Sequence, residues 1–262
     1  MTTHVPSAAT TFARSVMALV LREMSATYGR SPGGYVWAIL EPVAGVAVFT
    51  VVLTFITRTP PLGTNFPLFF ATGILVFTLY QSTSTNVGGA IRYSRPLLAY
   101  PNVTYVDAIL ARLILNTLTQ ITVSSIVLCG IIVVFDLRLL IDYGAVARAY
   151  GMAIAFATGI GLVNCFLVSM FPLWQFIWAV VNRPLFLISG VFYVIDELPA
   201  QVSWWLMLNP VAHMISQMRA GFYGSYDAVL VSEPYVYGVS LVLMALGMLL
   251  LHRYHRIILD EG

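Results

Sequence analysis

The residue in this chain most open to a chemical reading is Glu41. It is followed at once by Pro42 and then by an uncharged stretch from Val43 to Ile56. A carboxylate next to a bilayer-length apolar run is costly unless it is paired, hydrated or used. Three roles are open to it: an ion pair or gate contact, with Arg30 as a partner; a cap at the start of a helix, where proline suits the first turn; or direct contact with a ligand. Arg92 and Arg95 lie three apart, with Tyr93 between them and Pro96 after them, so they would share one face of a helical turn. They read either as a docking handle or as charges that only set membrane orientation. Polar side chains also interrupt the apolar runs: Tyr80 and Gln81 through Asn86 in one, Thr119 to Ser125 with Gln120 in another, and Trp174, Gln175 and Trp178 in a third. Trp174 and Trp178 are four apart, on one helical face. Such groups either line a polar path or hold membrane helices together. His213 and Gln217 share a face near Asn209 and Arg219, which suits either an outer polar surface or a hydrogen-bonded structural histidine. The motif routes to an enzyme fail, with no H-x-x-x-H, G-x-S-x-G or phosphate-loop pattern. No metal site is expected. His252 and His255 have no carboxylate near them before Asp260, and Cys129 and Cys165 read as small buried hydrophobes.

The elements that must position these residues follow from where charge is missing. The 262 residues are 59% hydrophobic and 9% charged, against about 25% charged in a soluble domain. No Asp, Glu, Lys or Arg occurs over 59–91, 113–135, 149–182 or 234–252. A spanning helix needs about 20 apolar residues. The expectation is an all-α polytopic membrane protein, a single domain over 1–262 with six transmembrane helices near 36–57, 66–90, 111–135, 145–170, 174–195 and 235–252. An interfacial helix near 8–30 precedes them, with Phe12, Val16, Leu19 and Val20 opposed to Arg14, Arg22 and Glu23. Two short re-entrant helices on the outer face, about 199–226, precede the last span. That segment is broken at Asn209-Pro210, yet its Trp204 and Trp205 are too apolar for a loop in water. All basic residues are arginine. With the N-terminus inside, Arg14, Arg22, Arg30, Arg92, Arg95, Arg112, Arg183, Arg253 and Arg256 are internal, against Arg58, Arg138, Arg148 and Arg219 outside. Both termini are therefore expected in the cytoplasm.

Three stretches carry a family resemblance. Leu21 to Pro42, with Arg22, Tyr28, Arg30, Gly34, Tyr35, Trp37, Glu41 and Pro42, resembles the start of the polysaccharide-exporting permeases of the ABC-2 class of ABC transporters. Asn86 to Asp107 looks like their cytoplasmic connection between spans two and three, and Leu208 to Gly224 like their outer-face helices. The resemblance implies a permease, without a catalytic site of its own, for lipid-linked capsular polysaccharide in a bacterial inner membrane. It implies two copies of this chain with two of a separate ATPase, which binds the ATP and Mg; this chain is expected to hold no cofactor and no nucleic acid. A periplasmic adaptor and an outer-membrane exit protein are implied for the capsule branch. The site residues it suggests are an ATPase-coupling surface of Arg22, Tyr28, Arg30, Arg92, Tyr93, Arg95 and Pro96, with Glu41 and Pro42 at a span entrance or gate. A translocation path would use Tyr80, Gln81, Gln120, Trp174, Gln175 and Trp178, and an exit surface Trp204, Trp205, Asn209, His213 and Arg219. Rival readings are ABC-2 permeases for O-antigen, teichoic acid or a small-molecule drug, a secondary transporter or channel, and a membrane transferase.

Overall fold

The computed structural model describes residues 16–24, 34–56, 59–98 and 104–260. Among these residues all regular secondary structure is helical. The helices are α1 (residues 16–24), α2 (Gly34–Ile56), α3 (Phe66–Gly88), α4 (Ala90–Leu98), α5 (Tyr105–Val134), α6 (Tyr143–Met170), α7 (Trp174–Ile188), α8 (Ala200–Leu206), α9 (Pro210–Phe222) and α10 (Glu233–Asp260). Five of them, α2, α3, α5, α6 and α10, are long and apolar enough to cross a membrane.

Local chemistry sets several boundaries. Asn65 caps α3 by accepting the Leu68 N–H at 3.0 Å, and Pro67 occupies the first turn, where its missing N–H costs nothing. Thr104 and Asp107 open α5 with a reciprocal capping box: the Thr104 N–H donates to Asp107 Oδ2 at 2.8 Å and the Asp107 N–H to Thr104 Oγ1 at 3.3 Å. Asp142 caps α6 through the N–H groups of Gly144 and Ala145.

The bundle is organised around α3 and α6, which pack on each other, with α10 closing on α6 and α5 on α3. α3 is buried without a break from Leu68 to Phe77. Helices this close need small residues at the crossing. A methyl group on Gly247 of α10 would come within 2.6 Å of Leu162 Cβ on α6, and one on Gly161 within 2.7 Å of the Val87 side chain on α3. By contrast α2 and α5 turn Val48, Val51, Phe55, Leu118 and Val133 outward, as lipid-facing helices do. Cys129 is exposed on α5 while Cys165 is buried. The expected burial of Cys129 is thus corrected: lipid covers an apolar side chain as well as protein does.

One further expectation is corrected, and one of the three roles open to Glu41 is closed. The fifth span, expected over 174–195, ends as a helix at Ile188. Its 15 residues give about 22 Å at about 1.5 Å per residue, short of a bilayer's roughly 30 Å of hydrocarbon. Gly190 then takes a positive φ of 78°, the chain turns, and a short 3-10 turn, Ile195–Glu197, leads to α8. Glu41 does not cap a helix: α2 begins at Gly34, so Glu41 and Pro42 stand in its interior. There Pro42 removes one backbone hydrogen bond.

Candidate functional site

A polar cavity lies between α1, α2, α3 and α5. Thr78, Ser82 and Asn86 follow one another at intervals of four on α3, and Arg112, Asn116 and Gln120 do the same on α5. Four residues is slightly more than one turn, so each set forms a row along its helix. The two rows face each other across a cavity of about 290 Å³, also lined by Glu23, Trp37, Glu41 and Thr119.

The rows are hydrogen-bonded together. Ser82 Oγ donates to Asn116 Oδ1 at 3.0 Å, and Asn86 Nδ2 donates to the same oxygen at 2.9 Å. Asn116 Nδ2 donates to Thr83 Oγ1 at 2.8 Å, and Gln120 Nε2 to Ser82 Oγ at 3.1 Å. At one end Arg112 donates to the Asn86 carbonyl at 3.2 Å, pairs with Glu23 of α1, and lies 4.3 Å over the Tyr93 ring of α4. One guanidinium therefore ties together α1, the α3–α4 joint and α5. A second cavity, of about 490 Å³, opens between α2 and α7 over α3. Glu41 lines it from α2 and Arg183 from α7, with Thr78, Gln81 and Asn182 between them. No ion pair joins Glu41 to any cation among the described residues.

The residues expected at a site are distributed as follows. Tyr28 and Arg30 lie outside the described residues. Arg22 is exposed on α1. On α4, Arg92 turns toward α7 and donates to Gln175 Oε1 at 2.9 Å, Tyr93 is 70% exposed, Arg95 is half-buried, and Pro96 is exposed. Gln120 and Gln81 each line a cavity. Tyr80 lines neither of these two: it is wholly buried, stacked on Phe156 of α6 with 5.3 Å between ring centres, a packing position rather than a path. Trp174 and Trp178 stack at 6.5 Å, and the Trp174 indole N–H donates to Asn164 Oδ1 at 2.9 Å.

At the other end of the bundle, Trp204 and Trp205 are exposed and meet edge to face at 4.9 Å. Asn209 caps α9 and reaches back to Ser189 Oγ at 2.9 Å. His213 and Arg219 are not surface groups, because both are used inside. His213 Nδ1 accepts the Ser232 N–H at 3.1 Å and Nε2 donates to the Met207 carbonyl at 2.8 Å, so the imidazole is neutral, and burial holds its pKa below the usual 6.5. Arg219 is 1% exposed, donates to the carbonyls of Tyr193 and Val191 at 2.6 and 2.8 Å, and lies 4.0 Å over the Phe69 ring. Burial pulls its pKa down to about 10, which leaves it charged at neutral pH. It clamps the non-helical segment after α7.

Asn116 and Arg112, central to the polar rows, were not singled out from sequence as path residues. The signal was present: two sets of polar residues at intervals of four in consecutive apolar runs. It is legible only once the two helices are known to face each other.

A family model for the ABC-2 type transporter matches residues 14–223. The chain belongs to the ABC-2 type transporter family. Three relatives align with this ABC-2 chain over nearly all of their length. Capsule polysaccharide export inner-membrane protein CtrC of Neisseria meningitidis serogroup A is 25% identical over 243 residues, covering 93% of this chain and 92% of the relative. Polysialic acid transport protein KpsM of Escherichia coli is 28% identical over 236 residues, with 90% and 92% covered. Capsule polysaccharide export inner-membrane protein BexB of Haemophilus influenzae is 26% identical over 245 residues, with 93% and 92% covered. The α3–α5 cavity, with all its lining residues between 23 and 120, falls inside the ABC-2 match, as do α8 and α9.

Proposed function

We propose that this chain is the membrane permease of an ATP-driven exporter that moves lipid-linked capsular polysaccharide from the cytoplasm across a bacterial inner membrane. The observation that carries this reading is the near full-length similarity to three proteins whose names state capsule polysaccharide export or polysialic acid transport. The facing polar rows of α3 and α5 support it: they give a hydroxylated polymer hydrogen-bond donors and acceptors at bilayer depth without any reactive group. Two copies would enclose the path and work with two copies of a separate ATPase that holds ATP and Mg. A periplasmic adaptor and an outer-membrane exit protein complete the route. In this arrangement α7 with residues 189–197 forms an incomplete fifth span, α8 and α9 dip in from the outer face, and α1, α4 and both termini lie on the cytoplasmic side. The docking surface for the ATPase is α4, with Tyr93 and Pro96 as its exposed face.

The test is deletion of the gene in its own host, with complementation by the wild type. Surface capsule should disappear while glycolipid accumulates inside. An unchanged capsule accompanied by loss of O-antigen, of teichoic acid or of resistance to a small molecule would replace the cargo. A reporter fused to the C-terminus that is active only in the periplasm would overturn the topology.

A further inference from the structure

Trp37 and Glu41 stand four residues apart on α2, so they share one face of the helix, and both line the cavity of about 290 Å³ between the polar rows. Trp37 is 63% exposed, and Glu41 is exposed too. Pro42 has no N–H, so the Ala38 carbonyl, four residues before it, lacks its helical partner; Ala38 lines the same cavity. The rows themselves spend donors more than acceptors. The Ser82 hydroxyl goes to Asn116, the Thr119 hydroxyl to the Leu115 carbonyl at 2.8 Å, and the Asn86 amino group to the Ser82 carbonyl and to Asn116, both at 2.9 Å. Among the described residues no donor meets the Glu41 carboxylate or the side-chain oxygens of Asn86 and Gln120. The charged residues in the lining are Glu23, Glu41 and Arg112, and Arg112 is taken by Glu23. The cavity thus leaves open one negative charge, several acceptors and an indole.

An apolar cavity of about 530 Å³ continues between the same two helices, α2 and α5. On α5 the two linings follow one stripe, with Asn116 and Gln120 in the polar cavity and Val127 and Ile131 in the apolar one. On α2, Ile39 and Val43 of the apolar lining adjoin Ala38 and Pro42 of the polar one. The apolar lining holds no charged residue, and Thr50 is its one hydroxyl. From Ile39 to Val51 it extends about 18 Å at about 1.5 Å per residue, close to one leaflet of a hydrocarbon core roughly 30 Å thick. Val43, Val51, Ile126 and Val134, all exposed, leave its flank open.

A set of free acceptors with an unpaired carboxylate and an indole selects a donor that carries positive charge. An ammonium group bonds to the oxygens and is attracted to the indole face. The groove selects an extended hydrocarbon chain. Head and chain together describe a membrane lipid with an ethanolamine head, in the leaflet on the α1 side, where Glu23 stands. A choline head carries the same charge without an N–H and leaves the acceptors unmet. We infer that the seam between α2 and α5 is a binding site for an ethanolamine-headed lipid, with Glu41 and Trp37 receiving its ammonium and the apolar cavity one of its chains. The site goes beyond the export reading, since binding is measured without transport and holds whatever the cargo.

The purified full-length chain in mild detergent is titrated with phosphatidylethanolamine, phosphatidylcholine and phosphatidylglycerol of identical chains, and bound lipid is counted by native mass spectrometry. All three carry the same phosphoryl group, so the comparison reads the rest of the head. Wild type should retain phosphatidylethanolamine about tenfold more tightly than phosphatidylcholine, as one charge-assisted hydrogen bond provides. Glu41→Gln should reduce that preference to about twofold or less, because the amide keeps an acceptor and loses the charge. Trp37→Leu, at an exposed position, should weaken both lipids about threefold and keeps the site testable if the Gln variant folds poorly. Gly130→Val places a side chain in the groove, where nothing lies within 4 Å of the glycine. It should weaken all three lipids while the preference for ethanolamine remains. Equal retention of phosphatidylethanolamine and phosphatidylcholine by wild type overturns the site, and so does tighter retention of phosphatidylglycerol than of either. Wild-type affinities in both Glu41→Gln and Trp37→Leu overturn it as well.

Discussion

His213 shows how a residue type can mislead when its partners are invisible in sequence. In a polar outer segment it reads as readily as a ligand-contacting group as a structural one. In the fold both of its nitrogens are committed, to Ser232 and Met207, and it staples α9 to the start of α10. The sign of its pH effect follows. A histidine whose folded pKa is depressed stabilises the fold fully above the unfolded value of about 6.5 and loses that contribution as pH falls below it. The melting temperature of the wild-type chain should therefore drop between about pH 7.5 and about pH 5.5 more steeply than that of His213→Gln, whose amide can donate and accept in the same place. Parallel curves for the two proteins would remove His213 as the cause. Arg219 teaches the same lesson. Its partners are carbonyls of a non-helical stretch, and no pattern in the sequence announces a carbonyl cage.

At the scale of elements, the apolar runs behind α3, α5 and α6 were legible because charge is missing from them. The start of α5 at Tyr105, six residues before the expected 111, was not, because Asp107 and Arg112 stand inside the helix. The break at Asn209-Pro210 was legible because a proline cannot continue a helix. The end of α7 was not: residues 189–195 are as apolar as a helix interior, and only the positive φ at Gly190 and the pull of Arg219 on Val191 and Tyr193 turn the chain. Glycines leave a clearer trace in packing than in sequence. Gly247 is one of 19 glycines, but its site on α10 meets Leu162 at 2.6 Å. Gly247→Val should cost about 1–3 kcal/mol through overpacking and lower the melting temperature of the detergent-solubilised chain, whereas Gly130→Val, with nothing within 4 Å of its position on α5, should leave it unchanged.

At the scale of the whole molecule, the proposed function asks that events in an ATPase reach the polar rows. The structure offers one short route: α4 presents Tyr93 outward, and the same ring lies beneath Arg112, which holds α1, α3 and α5 together. Tyr93→Ala should leave the assembled complex able to hydrolyse ATP while lowering surface capsule about tenfold or more, the loss typical of a well-placed aromatic anchor. Normal export in that variant would separate α4 from the drive. The central position of α3 has another consequence. α3 is both the most buried of the five long helices and the least apolar, since it carries the hydroxyls and amides of the polar row. A segment of that kind has little reason to leave the translocon for lipid by itself. α5 and α6, which pack against it, follow it from the ribosome, so holding such a helix in the bilayer asks that they join it there, and the polar row on α3 sets an order for assembling the nascent chain.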